Sequence, residues 1–116
     1  MATPSWEMPE NDQPNRAVLD VLMENGDALT EAREIDHYAY FPTPTFRAHY
    51  IDRCIEAGFR LRGTIEPHRP GSGFGAVVFH KDVPGEEVLD AITDVLRAFA
   101  DDCEGEYDGW ETPVVS

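Results

Sequence analysis

The sequence predicts an α+β domain in which two helices cover one face of a four-stranded antiparallel sheet and a further helix precedes them. Three observations carry this prediction. Apolar residues recur at helical spacing in three segments. Other segments alternate apolar and polar residues or are continuously apolar, as strands do. After the first helix, the segments follow one another as strand, helix, strand, strand, helix, strand, which is the split βαβ, or ferredoxin-like, arrangement.

The first helix and the first strand are predicted from short periodic segments. Residues 14–25 have apolar residues at helical spacing and end at an Asn-Gly pair, which stops helices. Residues 33–41 alternate in polarity, so Tyr38 and Tyr40 are expected on one face of the sheet and His37 on the other. His80 lies close to His37 if the strands that carry them are neighbours.

Four further elements are predicted: a helix from Thr43-Pro44 to Gly58, strands at 59–65 and 74–81, a helix at 85–102, and a closing strand within 107–115. The regular alternation at 59–65 predicts the cleanest half-buried strand of the chain. The uniformly apolar run at 74–81 is typical of a strand near the middle of a sheet.

The helix predicted at 85–102 is the most clearly amphipathic element. Its apolar stripe, which is expected to be buried, consists of Val88, Leu89, Ile92, Val95, Leu96 and Phe99. Its other face consists of Glu87, Asp90, Asp94 and Asp101. This helix therefore predicts a row of carboxylates facing the solvent.

The charge is strongly negative and unevenly distributed. The chain has 9 basic and 23 acidic residues and a formal net charge of −14, which would repel a phosphate backbone and disfavours direct binding of nucleic acid. Residues 86–111 hold ten acids and one base, or −9 of the −14. Three interpretations are open: a solubilising face, adaptation to a salty cytoplasm, or a patch directed at a basic partner.

Compartment and domain organisation are predicted from what the chain lacks. No apolar run approaches the roughly 20 residues of a membrane span, and the N-terminus does not resemble a signal peptide. Cys54 and Cys103 form no CxxC pair, and their helices predict that they lie at opposite ends, too far apart for a disulfide. We therefore expect a cytoplasmic protein with reduced thiols, a flexible tail at 1–13 and one domain at 14–116.

The sequence contains no pattern typical of an active site or of a metal or cofactor site. The glycines of 71–75 lead into a strand rather than a helix, and GK[ST] is absent. The four histidines form neither HxH nor HExxH, and no serine lies in GxSxG. The prediction is a protein that is not an enzyme and that needs no metal or cofactor.

A second surface is predicted on the open face of the sheet, where Tyr38, Tyr40, Arg60 and Arg62 are expected together. Aromatic and arginine side chains on such a face can stack single-stranded RNA bases. An RNP-type motif is missing, and the net charge opposes this interpretation. The alternative is a face that packs against the N-terminal helix or against a second copy of the chain.

Three short motifs carry a resemblance to a known family. Tyr107-Asp108-Gly109-Trp110 resembles the Tyr-Asp-Gly-Trp segment of the regulators of ribonuclease E activity B. Ile35-Asp36-His37 resembles the Ile-acid-His strand of that family, and Gly58-Phe59 resembles its helix-to-strand junction. The resemblance covers about residues 16–111. It implies a ferredoxin-like fold and an acidic protein that binds ribonuclease E and inhibits RNA processing without cutting RNA itself.

The resulting hypothesis is a non-catalytic, acidic protein-binding module whose partner is ribonuclease E or another basic RNA-binding protein, modulating RNA processing or decay. The candidate partner-binding residues are Glu87, Asp90, Asp94, Asp101, Asp108, Trp110, Tyr38 and Tyr40. The alternative is a domain of the same fold that binds a small ligand or self-associates through the aromatic sheet face. Charge reversal on the helix and truncation of the two tyrosines distinguish the two hypotheses.

Overall fold

The computed structural model describes residues 15–115, so the predicted tail at 1–13 lies outside the described residues. The described elements are α1 (Asn15–Glu24), β1 (Arg33–Phe41), α2 (Pro44–Glu56), β2 (Arg60–Ile65), β3 (Phe74–Asp82), α3 (Glu86–Asp102) and β4 (Glu106–Glu111). Within them, no helix is long and apolar enough to cross a membrane.

The four strands form one antiparallel sheet in the order β2-β3-β1-β4. Helices α2 and α3 pack against one face of this sheet, and α1 packs against α3. The α+β class predicted from the sequence, with a four-stranded antiparallel sheet, is confirmed, and so is the order of its elements. The interpretation that the N-terminal helix covers the open face is wrong, because α1 lies beside α3 on the helical side.

Strand β1 shows the predicted alternation, since Ile35, His37, Ala39 and Phe41 are buried while the residues between them are not. The buried side chains face the helices and join a core cluster that includes Tyr50, Leu96 and Tyr107. A second cluster joins α1 to Ile35 and to Leu89 of α3. The prediction that 74–81 lies near the middle of the sheet is also confirmed, because β3 pairs with both β2 and β1.

The prediction that 59–65 is a cleanly half-buried strand is wrong. No residue of β2 is fully buried, since it is an edge strand, and its register with β3 shifts between Leu61 and Gly63. The extra residue is Arg62, which lies on the open face, where its guanidinium stacks on Phe79. Strand β4, at the other edge, has a similar shift at Asp108. Bulges of this kind oppose pairing of edge strands with other chains.

Helix α3 buries a narrower stripe than its sequence predicts. Leu89 and Leu96 are fully buried, but Val88 and Val95 are about 40% exposed. Thr93 and Ala100 complete the buried face instead. The difference follows from geometry, because a single sheet contacts only one sector of a helix and residues at the margin of the apolar stripe stay outside it.

The two cysteines do not lie at opposite ends of their helices as predicted. Arg53 and Asp102, each the residue before a cysteine, form an ion pair at 2.6 Å, and Cys54 and Cys103 belong to the same core cluster. The helices α2 and α3 therefore meet near their C-termini. Both thiols are free and buried, and burial raises the pKa of Cys54 to about 12.

Candidate protein-binding surfaces and a buried histidine chain

The acidic row of α3, which we define as Glu87, Asp90, Asp94 and Asp101, is exposed along its whole length. Asp90 accepts a hydrogen bond of 2.8 Å from the side-chain amide of Asn15. The other three carboxylates have no ion pair or side-chain hydrogen bond within residues 15–115. The row that the sequence predicts to face the solvent is therefore exposed.

Five arginines within residues 15–115 pair with carboxylates outside the acidic row. The arginines with such ion pairs are Arg16, Arg33, Arg47, Arg53 and Arg62. Arg97 lies on α3 itself, but its guanidinium sits over the Tyr107 ring, 5.0 Å from the ring centroid. The negative potential of α3 is thus opposed by few of the basic groups that the chain has.

The segment Tyr107-Asp108-Gly109-Trp110 is built into the domain. Tyr107 is buried, and Trp110 donates a hydrogen bond of 2.8 Å from Nε1 to the side chain of Asn15. Asp108 is the bulge residue, and Gly109 has a positive φ of 120° that favours glycine. Trp110 and Asp108 are only partly exposed, so the structure gives them internal roles beside the binding role expected from the sequence.

Tyr38 and Tyr40 lie on the open face of the sheet, as predicted. The Tyr38 hydroxyl donates to Glu111 at 2.6 Å, and this hydrogen bond raises the pKa of Tyr38 to about 12. The Tyr40 ring covers Gly75, where a Cβ would come within 2.9 Å of it. Both tyrosines are half-buried by neighbours in their own sheet.

Arg60 and Arg62 also lie on the open face, where both stack on Phe79. Their guanidinium carbons lie 5.4 Å and 4.0 Å from the ring centroid. Arg62 additionally pairs with Glu34 and with Asp36, the latter at 2.9 Å. The four residues predicted to share this face are therefore brought together. Arg62 and Tyr38 bond to carboxylates of the same chain, whereas Arg60 stacks on Phe79 and has no ion pair among residues 15–115.

A chain of hydrogen bonds crosses the interior beneath β1. The Tyr107 hydroxyl lies 2.8 Å from His37 Nδ1, and His37 Nε2 lies 2.9 Å from His80 Nε2. His80 Nδ1 lies 2.9 Å from a carboxylate oxygen of Asp82. The expected proximity of His37 and His80 is confirmed, because their strands β1 and β3 are neighbours. His80 pairs with Ile35, two residues before His37 on the same face of β1.

With both imidazoles neutral, only one arrangement of protons satisfies this chain. The Asp82 carboxylate accepts, so His80 Nδ1 donates and His80 Nε2 must accept. His37 Nε2 then donates to His80, and His37 Nδ1 accepts from the Tyr107 hydroxyl. Every polar atom of the two rings is paired, which stabilises this polar interior.

His37 is shielded from solvent by this arrangement. Its side chain has no exposed area, and burial together with His80 lowers its pKa to about 3. The ring therefore stays neutral at physiological pH. Residues 15–115 contain no group of three or more His, Cys, Asp or Glu side chains that could hold a metal ion.

Two internal contacts were missed by sequence reasoning. Asn15 links Asp90 of α3 to Trp110 of β4, and nothing in the sequence near Asn15 indicates this. The second is a buried ion pair between Arg33 and Asp27. The strand alternation did contain a signal for Arg33, because it places that residue on the same face as Ile35 and His37.

The Arg33–Asp27 pair fixes the segment after β4. Asp27 accepts hydrogen bonds from the backbone amides of Leu29 and Val115, at 2.8 Å and 3.0 Å, and Arg33 also donates to the carbonyl of Pro113. The hydrogen bond from Arg33 holds the pKa of Asp27 well below its usual range. The chain beyond the last strand is therefore anchored to the interior.

The fold and these surfaces define a small α+β domain with a row of exposed carboxylates along its last helix. The chain belongs to the family described as regulator of ribonuclease activity B, whose family model matches residues 12–112. The matched range includes all seven elements. The suspected family is thus confirmed, and it is a family of ribonuclease regulators. No curated protein matches the chain.

Proposed function

We propose that this protein is a non-catalytic inhibitor that binds ribonuclease E through the acidic row of α3. Membership of a family of ribonuclease regulators supports the choice of enzyme class. The observation that carries the choice of surface is the exposure of Glu87, Asp94 and Asp101 without a described partner. A basic region that binds RNA is the complementary surface on the enzyme.

Inhibition follows from competition for the same cationic groups. Lysine and arginine side chains that contact RNA phosphates provide much of the affinity of such a region. Carboxylates spaced along one side of α3 can pair with these groups and deny them to RNA. Because exposed pairs are screened by salt, binding should weaken as ionic strength rises above about 0.1 M, where the screening length is about 10 Å.

Charge reversal of the acidic row is the decisive test. We expect the triple variant Glu87→Lys, Asp94→Lys, Asp101→Lys to bind ribonuclease E from the same organism about tenfold more weakly or worse. Each substitution adds two charges, so the net charge changes from −14 to −8. Isothermal titration calorimetry at low and moderate salt measures the affinity and its salt dependence.

A matched control separates the effect of the acidic row on affinity from the effect of total charge. Glu24→Lys, Asp52→Lys and Glu56→Lys also change the net charge from −14 to −8, and these exposed residues lie on α1 and α2. We expect this control to lose less than about threefold in affinity. Equal losses in both variants would show that only the overall charge matters, and retention of affinity by the α3 variant would refute the proposed surface.

The expected absence of catalysis is tested at the buried chain of hydrogen bonds. His80 has 11% of its side chain exposed and is the point where the chain Tyr107–His37–His80 comes nearest to solvent. We expect the purified protein to leave a model RNA intact, both as wild type and as His80→Ala. Hydrolysis by the wild type that disappears in the variant would instead identify an enzyme.

A further inference from the structure

The open face of the sheet has a regular distribution of charge. Paired residues of neighbouring strands point to the same face, so the registers define rows across it. One row runs Arg60, Phe79, Asp36 and Glu111, from the β2 edge to the β4 edge. The next rows are Gly63, Val77, Tyr38, Gly109 and then Ile65, Gly75, Tyr40, Glu106.

The two halves of this face have opposite charge. The β2–β3 half carries Arg60, Arg62 and Lys81, and the β1–β4 half carries Glu34, Asp36, Glu106 and Glu111. Apart from the bulge residue Asp108, the sum is three positive and four negative charges. This surface is therefore close to neutral on a chain of net charge −14.

Opposite charge in two halves of one face is self-complementary. A two-fold axis parallel to the central strands would place the β2 edge of one chain over the β4 edge of another, with the same rows facing each other. Arg60 then lies opposite Glu111 of the partner subunit. The acidic row of α3 stays on the outside of both chains.

Arg60 and Glu111 cannot form this pair within one chain. They lie at the two edges of the same sheet, three strand spacings or about 14 Å apart. Arg60 makes no ion pair with any described residue, although carboxylates greatly outnumber basic groups in the chain. Its charge is available on the face where a second chain would supply a carboxylate.

We propose that this protein self-associates as a weak, two-fold symmetric dimer through the open face of its sheet. The proposal does not depend on the binding of ribonuclease E, because it uses the face opposite to the helices. The face covers about 450 Å² per chain, which lies below the usual size of stable interfaces. Association is therefore expected only at high protein concentration.

Sedimentation equilibrium at loading concentrations up to about 1 mM tests the dimer. The wild type should show a reversible monomer–dimer equilibrium at moderate salt. Arg60→Glu and Glu111→Arg should each weaken it about tenfold or more, because each places like charges opposite one another twice per dimer. The double variant Arg60→Glu, Glu111→Arg should return to within about threefold of the wild type, because it restores the pair with the signs exchanged.

Asp52→Arg is the matched control for Glu111→Arg, since it changes the net charge equally but lies exposed on α2. It should leave the dissociation constant within about threefold of the wild type. Circular dichroism establishes that each variant is folded. A wild type that stays monomeric at all concentrations overturns the proposal, as does a double variant that fails to recover. A small ligand or RNA that binds this face of a strictly monomeric chain also overturns it.

Discussion

Replacing Gly105 by alanine is expected to destabilise the domain by about 3 kcal/mol or more, as severe overpacking of a core does. A Cβ at this position would lie 2.2 Å from the Phe41 ring and 2.8 Å from the carbonyl oxygen of Tyr40. The ring cannot withdraw, because Phe41 is buried and its centroid lies 4.7 Å from that of Tyr50. Unfolding by urea, followed by circular dichroism, measures the change.

Gly63→Ala is the control for this prediction. A Cβ at Gly63 meets no atom within 4 Å, although Gly63 also lies in the sheet region of the chain. We expect its free energy of unfolding to stay within about 1 kcal/mol of the wild type, as for substitutions away from tight packing. If both variants lose the same stability, the loss comes from the general effect of removing glycine and not from the contact with Phe41.

Gly105 has a role that helix termination alone does not explain. The helix predicted at 85–102 does end at Asp102, and a glycine shortly after a helix often terminates it. The residue with a positive φ there is Glu104, at 59°, a conformation that more often selects glycine. Glycine is required one position later, because the backbone of Gly105 lies against the Phe41 ring.

The periodic elements of this fold could be predicted because the spacing of apolar residues within each element indicates which of its faces is buried. The alternation of β1 and the stripe of α3 depend on local sequence, and both place Ile35, His37, Leu89 and Leu96 correctly in the interior. The bulge at Arg62 and the contact of Arg53 with Asp102 depend on how elements pack against one another. Such features leave no trace in the spacing of residues along the chain.

The motifs that carried the family resemblance lie in the core and not on the proposed binding surface. His37 from the Ile-acid-His motif bonds to Tyr107 of the Tyr-Asp-Gly-Trp segment. Phe59, from the Gly-Phe junction, sets its ring edge against His37 and His80, with centroids 6.4 Å and 5.6 Å away. All three motifs thus meet at one place in the core. They indicate the family, but the proposed binding surface had to be argued from charge.

The buried histidine chain predicts that stability falls as the pH is lowered from 6.5 towards 5. The pKa of His37 is about 3 in the folded protein and about 6.5 when the chain is unfolded. A base with a lowered pKa in the folded state stabilises the fold fully above the unfolded value and loses this contribution as the pH falls towards the folded value. At pH 5 the loss is about 2 kcal/mol, at about 1.4 kcal/mol per unit.

Between pH 6.5 and 5, the expected loss of stability comes from His37 and not from the buried carboxylate of Asp27. Asp27 also has a lowered pKa, but its ordinary value is 3.8, so its contribution is lost only at more acidic pH. Urea unfolding at several values between pH 5 and 7 should show a slope in the wild type that His37→Gln abolishes, since glutamine is polar but does not titrate. His49→Gln removes an exposed histidine and should keep the slope. If His37→Gln retains the slope of the wild type, His37 is not the group that couples folding to protons.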